Sequence, residues 1–173
     1  MKAISLWQPW ASLIGRGKSI ETRSWSTSHR GRIAIHAAKR FTAEEVDICQ
    51  NLPSFYNALK AEFGQFTPTG TFTRMMLPLG AIVATANLIE CVHTDIVKAE
   101  HLLLGDIPAP DTYALIGSRY LYLTKTEREF GNYQPGRWAW LFKDIKILPK
   151  PIPYKGAQGL FEIPDSILEG YAL

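Results

Sequence analysis

The spacing of the strand-like segments is what most limits the fold of this chain. Ile20 to Trp25 and Arg32 to His36 each alternate apolar and polar residues, the period of a half-buried strand, with His29-Arg30-Gly31 as the turn between them. Lys2 to Leu6 reads as a short strand ahead of them, and Gly80 to Val92, rich in Ile, Val, Ala and Thr, as a long one behind. Arg137 to Leu148 is the strongest late strand, and Leu160 to Ile163 adds another. Strands therefore arrive in separated groups with helices inserted, without the regular strand-helix alternation of a doubly wound sheet. The expectation is an α+β fold, a small mixed β-barrel decorated with short helices.

The helices announce themselves by their ends. Pro9 near the start and Gly15 at the close bracket a short helix. Thr42-Ala43-Glu44-Glu45 is a capping box that opens a helix through about Leu52, and Pro53-Ser54 restarts a second one to about Phe63. From Gly64 to Pro78 the density of Gly, Thr and Pro marks a long loop. Residues 94–135 lack a clear period and read as loop and short helix; Pro164-Asp165 starts a short C-terminal helix. A chain of 173 residues, 46% hydrophobic, is expected to form one domain over 1–173, with an insertion around 42–78 and a less typical segment at 94–135.

No apolar run approaches the roughly 18 residues needed to span a bilayer, and polar residues break the first segment too early for a signal peptide. A cytoplasmic address and no membrane partner are expected. Cys49 and Cys91 lie far apart without a CxxC or Cys/His cluster, so they read as buried thiols, and no metal or organic cofactor is implied.

Charge is unevenly placed. Between Arg16 and Arg40 there are seven Lys/Arg against one acid, a net +6, while the rest of the chain carries −3. Such a stretch suits counterion release from a phosphate backbone if it forms one patch, and is otherwise a solvated face. Within it, Glu21 and Arg23 fall on the same face of their strand, and Lys18 sits in the turn just before. Three charged groups thus converge where a helix end meets a strand. They can hold a phosphate or a base edge, with Arg as the bidentate element, or they can form an ion-pair network that knits strand to helix.

Gly17-Lys18-Ser19-Ile20-Glu21-Thr22-Arg23 resembles the GxKxxExR signature of the ASCH domain family. The likeness continues in Ile4-Ser5-Leu6-Trp7-Gln8-Pro9-Trp10-Ala11, in Arg30-Gly31-Arg32-Ile33-Ala34-Ile35-His36-Ala37, and from Gly131-Asn132-Tyr133 through Gly159-Leu160. The resemblance implies a PUA-like β-barrel, a cleft lined by the signature residues, and a role in binding RNA or other nucleic acid. Some ASCH-like proteins resemble enzymes: small bacterial members hydrolyse the amide of acetylated cytidine with a Lys, a Thr and a Glu, and others are associated with ribonuclease activity. Lys18 falls on that lysine, but Glu21 stands where the threonine would be, and Thr22 follows on the opposite strand face. His36, alone among Ile33, Ile35 and Ala37, reads as a structural residue more than as an acid or base.

Five tryptophans complete the picture. Trp7 and Trp10 bracket the first helix beside the signature, and Trp138 and Trp140 share a strand face. An exposed ring here would stack a splayed base, and a buried one would serve the core. Gln158, in the tight Gly156-Ala157-Gln158-Gly159 loop, can read a base edge or simply turn the chain. The leading expectation is binding of RNA, single-stranded nucleic acid or a nucleotide-sized ligand by Trp7, Trp10, Lys18, Glu21, Arg23, Trp138 and Gln158. The alternatives are a hydrolase of a modified nucleoside or of RNA, with Lys18 and Glu21 as its acid/base pair, and an interaction domain for a protein partner.

Overall fold

The computed structural model describes residues 1–63, 77–98, 113–116 and 120–170. Strand β1 (Lys2–Leu6) runs parallel to β3 (Gly31–Ala37), with Lys2 opposite Ile33 and Leu6 opposite Ala37. A parallel pair needs a crossover, and α1 (Trp10–Leu13) followed by β2 (Ile20–Arg23) supplies it. β4 (Ala81–His93) pairs antiparallel with β3, and β8 (Trp138–Pro153) antiparallel with β4. β2 takes the far edge of β8 and β9 (Leu160–Glu162) the outer edge of β1, giving the order β2-β8-β4-β3-β1-β9. The sheet is mixed and curls into a half-barrel with a few short helices, in keeping with the expected α+β class.

The expected turn at 29–31 joins two strands that are not neighbours in the sheet, because β8 and β4 lie between β2 and β3. Turn chemistry says where a chain changes direction, not which strand it will meet. β2 goes where its apolar face is covered: Ile20 lies opposite Leu141 and Thr22 opposite Ala139.

In the main core Ile4, Leu6, Ile33, Ile35, Leu88, Trp140 and Phe142 pack together. Helices α2 (Ala43–Asn51) and α3 (Pro53–Phe63) bury Cys49, Phe55 and Leu59 against Leu13 and Phe130. The capping box is formed: the Thr42 N–H donates to the Glu45 carboxylate at 2.6 Å. Burial pushes the Cys49 thiol up to about 12, so it packs as a small hydrophobe; Cys91 is free and only partly buried.

Segment 94–135 corrects the sequence reading. Instead of loop and short helix alone it holds β5 (Val97–Lys98), β6 (Tyr113–Ile116) and β7 (Tyr120–Leu123), ordered β5-β7-β6, before α4 (Lys125–Glu129). Strands of two to four residues are too short to show a period of two. Leu121 and Leu123 of β7 pack on Ile20, Ala139 and Leu141, the outer face of β2 and β8. Most of the expected long loop, residues 64–76, lies outside the described residues. No described helix is long and apolar enough to cross a membrane.

His36 is buried where residues 154–157 cross β1 and β3. Its Nε2 lies 3.1 Å from the Tyr154 carbonyl and its Nδ1 3.0 Å from Ser5 Oγ. A Cβ on Gly156 would stand 2.3 Å from His36 Cε1, so only glycine admits this crossing. Burial holds the imidazole below its usual 6.5, against the opposing pull of the Tyr154 carbonyl. The neutral ring is therefore the folded form, and its contribution to stability is complete above pH 6.5 and is lost as pH falls through the lowered folded-state value. Urea unfolding midpoints should fall between pH 7.5 and about 5.5, and His36→Asn should flatten that slope. An unchanged slope in the variant would assign the acid sensitivity elsewhere.

Candidate functional site

The signature segment is aimed by the turn before it. After α1 the chain reverses through Gly15 and Gly17, at φ of 81° and 94°, values that glycine adopts without strain. The Gly15 N–H donates to the Lys18 carbonyl at 2.9 Å, which closes the reversal and sends the Lys18 side chain inward. β2 then alternates: Ile20 and Thr22 are buried, while Glu21 and Arg23 turn the other way and remain partly open.

Lys18 is 1% exposed. Its Nζ donates to the carbonyls of Ile20 and, at 3.1 Å, of Phe130, so it ties β2 to the end of α4. Glu21 Oε2 lies 3.7 Å away and Glu127 Oε1 3.9 Å. Glu127, with no exposed side-chain surface, accepts from the Ser19 N–H at 2.6 Å and the Tyr133 hydroxyl at 2.9 Å. Burial and the neighbouring Glu127 carboxylate push the Tyr133 phenol well above its ordinary range, so it stays the donor of that pair. On the open side, Glu21 is 12% and Arg23 27% exposed, with Arg23 Nε 3.2 Å from Glu21 Oε1 and Arg23 Nη2 donating to the Ser5 carbonyl at 2.7 Å.

These residues border an open cleft of about 550 Å³, within the range of small-ligand sites. Trp7 and Trp10 form one wall and the segment from Glu129, at the end of α4, to Asn132 another. Trp7 is 54% exposed, with the Arg40 guanidinium 3.8 Å over its ring, while Trp10 packs edge-on against Phe55. The Asn132 N–H donates to Thr22 Oγ1 at 3.2 Å, and Arg137 Nη2 to the Thr22 carbonyl at 3.1 Å. Trp7, Trp10, Lys18, Glu21 and Arg23 are thus brought together.

Two expected site residues lie elsewhere. Trp138 is not in the cleft lining: although it lies opposite Arg23 on the neighbouring strand, its ring packs on the main core and edge-on to His93 at 5.1 Å. Gln158 is exposed on the segment that crosses behind His36, and it too is absent from the lining. Nor does the basic stretch form one patch. Lys18 is buried, Arg23 pairs with Glu21, Arg30 with Glu90 and Arg40 with Glu45, while Arg32 opens onto a separate cavity beside Asp144 and Lys146. Strand alternation separates charges that are neighbours in sequence, and acids on β2 itself, on α2 and on β4 neutralise them. Glu127, Glu129 and Arg137 are not singled out as site residues by the sequence; nothing in their local pattern points to the cleft. Gly131-Asn132-Tyr133 had drawn notice only through the resemblance.

Comparisons with known proteins point to one family. The family model described as the ASCH domain matches residues 4–133. Activating signal cointegrator 1 of Homo sapiens is 31% identical over 128 residues, 73% of this chain and 19% of that protein. Its Mus musculus counterpart is 37% identical over 91 residues, 51% of this chain and 14% of that protein. The chain therefore spans about a fifth or less of the length of these relatives. Among solved structures, an ASCH protein from Zymomonas mobilis is 16% identical at a TM-score of 0.45, with 96% of this chain and 89% of that one covered.

Proposed function

This chain belongs to the ASCH domain family, and from that premise we propose that it binds single-stranded nucleic acid, RNA above all, by taking one unstacked base into the cleft beside Glu21. What carries the reading is the company around that cleft: an exposed indole at the mouth, a guanidinium and a carboxylate on the floor, and room for a nucleoside. Stacking supplies affinity that tolerates any base, and the polar floor supplies selection. Hydrolysis draws less support. Lys18 Nζ is enclosed by protein oxygens, and Thr22 Oγ1 already accepts the Asn132 N–H.

Fluorescence anisotropy with labelled short RNA and DNA tests the proposal. Trp7→Ala should weaken binding by about 1–3 kcal/mol, while Gln158→Ala, outside the cleft, should leave it unchanged. Because the basic residues are scattered and largely paired, affinity should fall only modestly with salt; a steep fall would indicate a phosphate track on another face. Absence of binding, or wild-type binding by Trp7→Ala, would overturn the reading.

A further inference from the structure

Resting on that reading, we infer that the cleft selects guanine, with Glu21 as the residue that reads its Watson–Crick edge. The charges argue first against a phosphate as the group that enters. Among the cations at the cleft, Lys18 lies near Glu21 and Glu127, Arg23 near Glu21, and Arg137 donates to the Thr22 carbonyl. Lys18 is enclosed, and Arg23 is committed to Glu21 and to the Ser5 carbonyl. An anion approaching the floor beside Glu21 would meet its carboxylate first. A neutral group rich in N–H donors is complementary instead.

Glu21 is built to receive such a group. An ionised carboxylate is an acceptor only, with about four lone-pair sites on its two oxygens. Arg23 faces one oxygen at 3.2 Å and Lys18 the other at 3.7 Å, which fixes the carboxylate and leaves each oxygen capacity for a ligand. Guanine alone among the four bases carries two adjacent donors, N1–H and the N2 amino group, with the O6 acceptor next to them. The pair fits a carboxylate bidentately, and O6 then falls toward the neighbouring guanidinium. Adenine and cytosine each set one amino donor beside a ring acceptor, and uracil has one imino donor between two carbonyls. Each of these would press a lone pair against Glu21. A purine ring also suits a space of about 550 Å³ walled by Trp7 and Trp10.

Short uridine oligoribonucleotides carrying one central G, inosine, A or C, titrated against the protein, make the test. The G oligomer should bind roughly tenfold tighter than the others, and inosine, which keeps N1–H and O6 but lacks the N2 amino group, should lose most of that gain. Glu21→Gln should bring G down to the level of uridine, and should this variant not fold, the inosine comparison on the wild-type protein decides alone. Equal affinity for all oligomers, or inosine binding as well as G, would overturn guanine selection while leaving nucleic-acid binding intact. No binding by any oligomer would overturn both.

Discussion

Lys18→Met is expected to destabilise the protein by about 3–5 kcal/mol, the cost of breaking a buried charge cluster by removing one partner. Methionine keeps the length of the stem, so the loss reports on the ammonium group and not on a cavity. Without it the carbonyls of Ile20 and Phe130 lose their donor, and the Glu127 carboxylate, wholly buried, loses the cation 3.9 Å away. Glu127→Gln in the wild-type background should also be costly, since it leaves the Lys18 cation less compensated and disturbs the bonds to Ser19 and Tyr133. The double variant Lys18→Met, Glu127→Gln should be markedly more stable than the sum of the two losses predicts, because removing both charges removes the uncompensated one. Urea unfolding of the four proteins gives the coupling directly. If Lys18→Met stays within about 1 kcal/mol of wild type, the cluster is no structural hinge pin for β2, and the cleft is held by packing alone.

Trp140→Ala should cost a similar 3–5 kcal/mol, for a different reason. Trp140 is fully buried at the centre of the main core, opposite Glu21 on β2 and Cys91 on β4. It meets Trp25 edge-on at 4.7 Å, and its indole N–H donates to the Trp25 carbonyl at 3.3 Å, which fixes the chain just past Arg23. Truncation opens a large cavity and frees that end of β2, so affinity for single-stranded RNA should fall even where the variant remains folded. Trp140→Phe keeps most of the apolar volume and should cost clearly less. Should Trp140→Ala prove as stable as Trp140→Phe, filling the site with an aromatic ring would add nothing over a methyl group, and the cavity argument would fail.

Much of this molecule was legible in one dimension. β1, β3, β4 and the start of β8 follow from residues that alternate or accumulate β-branched side chains. α2 follows from Thr42 and Glu45, whose side chains make the cap wherever the helix goes. The same period of two put Glu21 and Arg23 on one face of β2, and the turn before it placed Lys18 beside them. These are short-range consequences of backbone geometry, so a neighbouring stretch of sequence suffices to state them. The partner of β2, the three small strands between residues 97 and 123, the burial of Lys18 against Glu127, and the withdrawal of Trp138 and Gln158 from the cleft were decided only in three dimensions. Each depends on which surfaces cover one another across 100 or more residues of chain or from opposite sides of a curled sheet. Burial and charge pairing act through space, and a linear pattern records only the half of each contact that lies within it.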